Sequence, residues 1–416
     1  MFTDILFLIL NLLLFAGTLD SSESLLFNEQ PHLGFLCGMA IYLPFLLLIY
    51  LQSRDYSKKR TVLLCNIELL LFFFCFYFLF GAQHLLFSIF APFGQMTALA
   101  FVLFLYFIGL FVCHFATTNS SVQAFIKIRF LLPLALPFFF FVALGDFENL
   151  IPFEVFGNSS KMVVVFLIDL IAIVSLFMFF PPVLVFLWGC PKLETRFAEL
   201  TKELEEFLPK PFKLRLWNVM EGSYTAAIVG VLPRFRYILF TSALLDRFPY
   251  RLIKAVLAHE IGHSHYRHLL LYPWILLGMI VFAYDLEILF YPVLFGFQDL
   301  VVQVVLSLLF ILSAAFYFRF VFGYFSRLFE RQADLYVFNL GVPAEDMIDA
   351  LNLLGTLSGN SHDVPSWHHY SIRERIEFLK RTMQNPALVN KHHRRVRYSL
   401  MIYSCILMLF FTYFIF

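Results

Sequence analysis

The chain has 416 residues, 61% hydrophobic and only 14% charged, with a formal net charge of +1. That composition excludes an ordinary soluble protein and points to a polytopic membrane protein, since each crossing takes about 20 apolar residues. The small net charge supplies no field for nucleic acid, and the six cysteines, none in a CxxC pair, read as buried thiols instead of a disulfide framework or a metal site.

Six hydrophobic spans come first, at about 4–19, 33–52, 61–83, 97–117, 129–145 and 162–189. The first lacks a basic n-region and an AxA-like cleavage site, so it reads as a span and not as a signal peptide. Loop 53–60 carries Arg54, Lys58, Lys59 and Arg60 against Asp55, whereas loop 20–32 carries Asp20, Glu23 and Glu29 and no Lys or Arg. Loop 118–128 holds Lys127, and loop 146–161 holds Asp146, Glu148 and Glu154 against Lys161. The positive-inside rule then places the second and fourth loops in the cytoplasm, and the sixth span delivers the chain there near Cys190.

A polar stretch follows from Pro191 to about His268. Leu193, Phe197, Leu200, Leu204 and Phe207 recur at helical spacing, an amphipathic helix ended by Pro209 and Pro211. Segments 214–219, 224–231 and 237–241 are short and rich in β-branched and aromatic residues, and predict a small hairpin or three-stranded sheet. Pro249 then opens a helix that carries AHEIGH, residues 258–263.

In that HExxH pattern His259 and His263 are i and i+4, on one helix face, with Glu260 beside them. Two imidazoles and an adjacent carboxylate suit a zinc hydrolase. Spans 269–295 and 300–323, separated by a few residues around Gly296 to Asp299, predict a hairpin that returns the chain to the same side. Segment 324–398 then supplies Glu330 and Asp334, again i and i+4. Glu330 is the candidate third ligand, and Asp334 can accept an N–H from a ligand imidazole. The alternative is a solvated acidic face paired with Arg327 or Arg331. A last span, 399–416, follows the basic cluster Lys391, Arg394, Arg395 and Arg397, which again places 391–397 in the cytoplasm. His265 falls on the wrong helix face for ligation, His268 reads as an interfacial residue, and His362, His368, His392 and His393 read as loop or basic-cluster residues. Gly355–Ser366 predicts a loop, a candidate lid over the cleft. Glu68, Asp169, Asp285, Glu287 and Arg319 stand within spans, lining either a wet chamber or the interface.

HEIGH on a helix, a membrane hairpin, then ExxAD: over about 214–380 the chain resembles the integral-membrane gluzincin peptidases of the HtpX and CAAX prenyl protease family. The resemblance implies one Zn2+ held by His259, His263 and Glu330, with Glu260 as general base. YILFTSALLD (237–246) is similar to the strand and turn before the family's motif helix. HHYSIRERIEFL (368–379) is similar to the segment written HPxxxxRIxxL, whose His and Arg serve substrate binding and oxyanion stabilisation; His369 and Arg375 have that spacing, although Arg373 could equally face inward. Two departures stand out. Thr225-Ala226 occupies the place of an Asn-Ala pair, and Tyr370 that of the Pro.

The expected protein is therefore predominantly α-helical with about nine transmembrane helices and a cytoplasmic zincin-like region containing a small β-sheet. Its parts are 1–189, a six-helix region; 190–268, with the strands and the HExxH helix; 269–323, the hairpin; 324–398, with the ExxAD helix; and 399–416, the final span. The expected activity is hydrolysis of membrane or membrane-anchored proteins by zinc-activated water, at the cytoplasmic face of a cell or inner membrane, with protein or peptide substrates and the lipid bilayer as partners. A catalytically silent zinc-binding scaffold or chaperone-like protein is the alternative, weakened by the presence of Glu260. Zinc as transported cargo is weakened by the placement of the ligands at one end of the spans.

Overall fold

The computed structural model describes residues 2–16, 30–53, 58–150, 157–208, 212–220, 222–294, 299–364 and 369–415. Pro209, Pro211, the turn at Gly296 and His368 lie outside these, as do the side chains of Asp285 and Glu287. The chain forms two compact units, 1–176 with 289–311, and 177–288 with 312–416.

The first unit contains α1 (Phe2–Ala16), α2 (Pro31–Gln52), α3 (Lys58–Phe74), α4 (Ala82–Ile89), α5 (Gly94–Thr118), α6 (Ser121–Leu131), α7 (Leu136–Glu148) and the first part of α8 (Gly157–Leu187). Helix α5 is buried on most sides and packs on α2, α3, α4, α6 and α7. Its Tyr106 joins Phe72, Phe73, Phe76 and Tyr77 in a continuous aromatic core. Asp4, fully buried, accepts a 2.9 Å hydrogen bond from Asn66; a carboxylate at such depth survives only with partners of this kind.

Among the described residues five helices are long and apolar enough to cross a membrane: Pro31–Gln52, Arg60–Leu79, Gly94–Thr118, Ser121–Glu148 and Leu308–Leu340. Pieces 167–176 and 178–187 make a sixth if they form one broken span. The predicted first span is a 15-residue helix, α1, shorter than a crossing.

The second unit holds the small sheet. After α9 (Ala198–Phe207) come β1 (Lys213–Leu216), β2 (Ala226–Val229) and β3 (Tyr237–Phe240), in the order β1-β3-β2. The expected hairpin is β2 with β3, antiparallel, Ile228 opposite Ile238; β1 adds to β3 in parallel. Gly230, at φ +102°, turns between β2 and β3, where a Cβ would strike the Phe235 carbonyl.

Helix α10 (Ser242–Arg247) leads to α11 (Tyr250–His265), the HExxH helix. It is buried nearly all round. Leu252, Ile253, Leu257 and Ile261 pack with the sheet residues Leu214, Ile228, Ile238 and Phe240. Ala255 and Ala258 pack instead on Leu335, Val337, Met347 and Ile376. Each fully buried Leu or Ile contributes about 1.5–3 kcal/mol, so α11 is anchored from both faces.

The chain continues through α12 (His268–Leu294) and α13 (Asp299–Tyr317). A π turn, Phe318–Phe322, joins α13 directly to α14 (Gly323–Asp334), so the span predicted to end near 323 runs on into the ExxAD helix. A 3-10 turn ending at Gly341, φ 66°, then reverses the chain. Helices α15 (Ala344–Leu357), α16 (Ile372–Gln384) and α17 (Ala387–Ile415) complete the unit.

Candidate metal centre

His259 and His263 project from α11, one turn apart, toward Glu330 on α14. Their ligand-type atoms all lie within 4.8 Å of one another, and all three residues are buried. The two Nε2 atoms are 3.2 Å apart. His259 Nε2 lies 3.5 Å from Glu330 Oε2, and His263 Nε2 lies 3.4 Å from Oε1. Zinc ligands at about 2.0–2.1 Å in a tetrahedron stand about 3.3–3.4 Å from each other. Two imidazole nitrogens and a carboxylate oxygen at that spacing fit one Zn2+, with the fourth direction left over.

The close approach of α11 to α14 explains two small residues inside the motifs. A Cβ on Gly262 would come within 2.8 Å of Tyr336 Cβ and 3.0 Å of Ala333 Cα. Gly262 and Ala333 therefore let the two backbones meet, which is what carries Glu330 up to the histidines.

Each imidazole points its other nitrogen outward. His259 Nδ1 is 2.9 Å from Asp334 Oδ1, and Asp334, 1% exposed, takes two hydrogen bonds from Arg375, at 2.6 and 2.8 Å. Arg375 reaches it because α16 starts with a capping box: the Ser371 hydroxyl accepts from the Glu374 N–H, and the Glu374 carboxylate accepts from the Ser371 N–H. That cap sets the register that turns Arg375 inward and Arg373 outward onto exposed Asp363. The S-x-x-E pattern at 371–374 is the sequence signal that distinguishes the two arginines. Arg375 is thus placed on Asp334 and not in open space, 4.0 Å from Glu330 at its nearest.

His263 Nδ1 lies 3.0 Å from Nδ1 of His268. His268, expected at the interface, is instead wholly buried. Its place depends on a break in the helix. After His265 the chain turns through Tyr266 and Arg267, the latter at φ 57°, and restarts at His268. His392, read as a loop or basic-cluster residue, is buried against the Leu328 carbonyl, and His393 meets Gln332.

His369 stands at the rim, 37% exposed in its side chain, with Nδ1 3.2 Å from Glu330 Oε2. Arg331, the alternative partner of Glu330, lies instead over the rings of Tyr370 and Phe378, 3.7 and 4.4 Å from their centres. Tyr370, where a Pro was expected, thereby supplies a cation–π platform. His265 faces Tyr336, away from the cluster. Thr225 immediately precedes β2, its backbone bonded to the Thr241 hydroxyl. The predicted loop starts at Ser358, since Gly355–Leu357 is helical; within it His362 returns to the Asn352 carbonyl. Arg319, predicted within a span, is exposed, with its guanidinium 5.7 Å from the Phe320 ring centre.

Burial sets the electrostatics. It raises the Glu260 carboxyl above its usual range, against the opposing pull of His259, His263 and a backbone hydrogen bond from Ile228. Burial alone would lower His259, but Asp334 and Glu330 outweigh it and raise the imidazole to about 10. Burial likewise opposes the charge on Arg375, and Asp334 beside it more than restores it.

Residues 191–383 match the sequence model of Peptidase family M48. Among solved structures, the crystal structure of S. mikatae Ste24p is similar at 15% identity, covering 88% of this chain and 98% of its own, with a TM-score of 0.46. No curated protein matches the chain. The stretch matched by the M48 family model, residues 191–383, holds both motif helices and Arg375, and the chain carries it alongside helices of membrane-spanning length.

Proposed function

We propose that the chain is a membrane-embedded zinc endopeptidase that hydrolyses peptide bonds of membrane or membrane-anchored proteins at a cytoplasm-facing site. The observation that carries this is the meeting of His259, His263 and Glu330 from two distant helices, with Glu260 buried next to His259. A purely structural ion needs no such carboxylate. The cytoplasmic placement rests on the basic residues of 391–397 and of loop 53–60.

His259, His263 and Glu330 would hold the ion, which when bound supplies a Lewis acid for water and for the scissile carbonyl. Glu260 takes the proton of the attacking water and passes it to the leaving amine. Burial suits that exchange, because it raises the Glu260 carboxyl above its usual range and so makes it a better proton acceptor. His369, at the rim, is the candidate donor to the developing oxyanion. Arg375 acts through Asp334 on His259. Two substrate classes fit this description, misfolded membrane proteins and lipid-anchored C-termini.

The test is Glu260→Gln in the full-length protein. Zinc content should stay stoichiometric while cleavage of a membrane-protein substrate falls by about 10²–10⁴-fold. Cleavage at the parental rate in that variant would end the peptidase reading. A cellular function that survived the change would favour the scaffold.

A further inference from the structure

Beyond His263 the contacts do not stop. His268 Nδ1 lies 3.0 Å from His263 Nδ1. His268 Nε2 lies 3.1 Å from Gln332 Oε1. Gln332 Nε2 lies 2.8 Å from His393 Nδ1. His268 and Gln332 are buried, and the His268 ring is stacked 4.3 Å from Phe329, the residue before Glu330.

We propose that His268 is a positioning residue for the metal-site imidazole His263, held in turn by Gln332 and His393, so that one hydrogen-bonded chain ties α17 to the metal centre. The inference rests on reading His259, His263 and Glu330 as a metal site.

The hydrogen positions follow from ligation. An imidazole that offers Nε2 to an ion must carry its proton on Nδ1. His263 Nδ1–H then donates to His268 Nδ1, which must be bare. The His268 proton is therefore on Nε2 and donates to the Gln332 oxygen. The Gln332 amide nitrogen donates to His393 Nδ1. Every donor meets an acceptor, and the amide is oriented as this direction requires, oxygen toward His268 and nitrogen toward His393. Asp334 does the same for His259 with a group that can only accept. The two ligand histidines are thus held by unlike devices, a carboxylate clamped by Arg375 and a neutral three-residue chain. Stacking on Phe329 fixes the plane of the His268 ring, and with it the direction of the acceptor lone pair.

A buried histidine kept only for packing would show the same burial, so the test must separate hydrogen bonding from volume. Zinc affinity of the full-length protein in lipid nanodiscs would be measured by chelator competition for the parent, His268→Ala, His268→Asn and Gln332→Leu. The visible spectrum of the cobalt-substituted proteins would report the ligand field. Loss of such an outer partner typically costs about 10–100-fold in metal affinity. His268→Ala should fall in that range with an altered cobalt spectrum, because the acceptor is gone. His268→Asn should recover most of the affinity, because its side-chain oxygen occupies the Nδ1 position. Gln332→Leu should lose less than His268→Ala, since it frees the far end of the chain only. Parental affinity in His268→Ala would overturn the proposal, and so would equal losses in the Ala and Asn variants. If His268→Ala does not fold, parental affinity in Gln332→Leu overturns it. A parent protein that fails to hold zinc stoichiometrically removes instead the metal-site reading beneath it.

Discussion

Arg375 clamps Asp334 through two parallel hydrogen bonds, 2.8 Å from Nε to Oδ2 and 2.6 Å from Nη2 to Oδ1. Oδ1 also faces His259 Nδ1 at 2.9 Å. The carboxylate can only accept, so it holds the His259 proton on Nδ1 and leaves Nε2 aimed at Glu330. Removing one member of a buried pair costs about 3–5 kcal/mol, because its partner is left charged and alone. Arg375→Met should therefore lower both the melting temperature and the zinc content. Arg375→Lys keeps the charge but loses the fork, and should fall between Met and parent. Full zinc occupancy in Arg375→Met would show that Asp334 orients His259 without help.

Among the described residues, the Glu330 carboxylate lies within 3.5 Å of three imidazoles, His259, His263 and His369. Glu330→Ala should leave the purified protein well below one zinc per chain. Glu330→Gln keeps the shape and removes the charge, so it should retain more metal than Ala and less than the parent. Metal analysis of the three proteins decides this, and stoichiometric zinc in Glu330→Ala would exclude it as a ligand.

The candidate ligand cluster was legible in the sequence because each part is local to one helix. His259 and His263 share a face at i and i+4, and so do Glu330 and Asp334; that rule needs no knowledge of packing. The small sheet was legible from β-branched runs, but the parallel pairing of β1 with β3 was not, since strand order depends on non-local contacts. The role of His268 was hidden for a different reason. In a continuous helix, a residue five positions after His263 points about 140° away from it. The left-handed turn at Arg267 breaks that geometry and brings His268 back. Arg373 and Arg375 looked interchangeable until the cap at Ser371 fixed the start of α16. Hydropathy placed a boundary near 323, where the helix in fact continues through a π turn; apolarity ends there, helicity does not.

Chelation gives a pH-dependent prediction. A resident ion at 1,000 times its dissociation constant stabilises the fold by about 4 kcal/mol, so removing zinc should abolish cleavage and lower the melting temperature. In the chelated protein His259 is raised from 6.5 to about 10 by Asp334 and Glu330, against burial. A raised folded-state pKa contributes stability that is complete below the unfolded value and is lost as pH rises through the folded one. The chelated protein should therefore lose stability between about pH 6.5 and 10. Zinc should suppress that slope, because a ligated His259 has no proton to lose at Nε2. Melting curves across that range, with chelator and with zinc, test both statements. A flat chelated profile would count against the protonated His259.

Gly262→Ala sets two small effects against each other. Ala in place of a mid-helix Gly favours the helix by about 1 kcal/mol. The new methyl would stand 2.8 Å from Tyr336 Cβ, closer than real contacts allow, and 3.0 Å from Ala333 Cα, tighter than most. Overpacking of that kind costs about 1–3 kcal/mol, so the net change in stability should be a loss of no more than about 2 kcal/mol. The metal should feel it more. Relief of the clash means that α11 and α14 separate by a few tenths of an ångström, and Glu330 rides on α14. Metal–ligand distances tolerate only about 0.2 Å. Zinc affinity should fall by a larger factor than the melting temperature alone implies, while the α11 helix itself stays intact. Competition with a chelator and a thermal melt on the same sample separate the two effects. A variant that binds zinc as tightly as its parent would show that the two helices are not held apart by this contact.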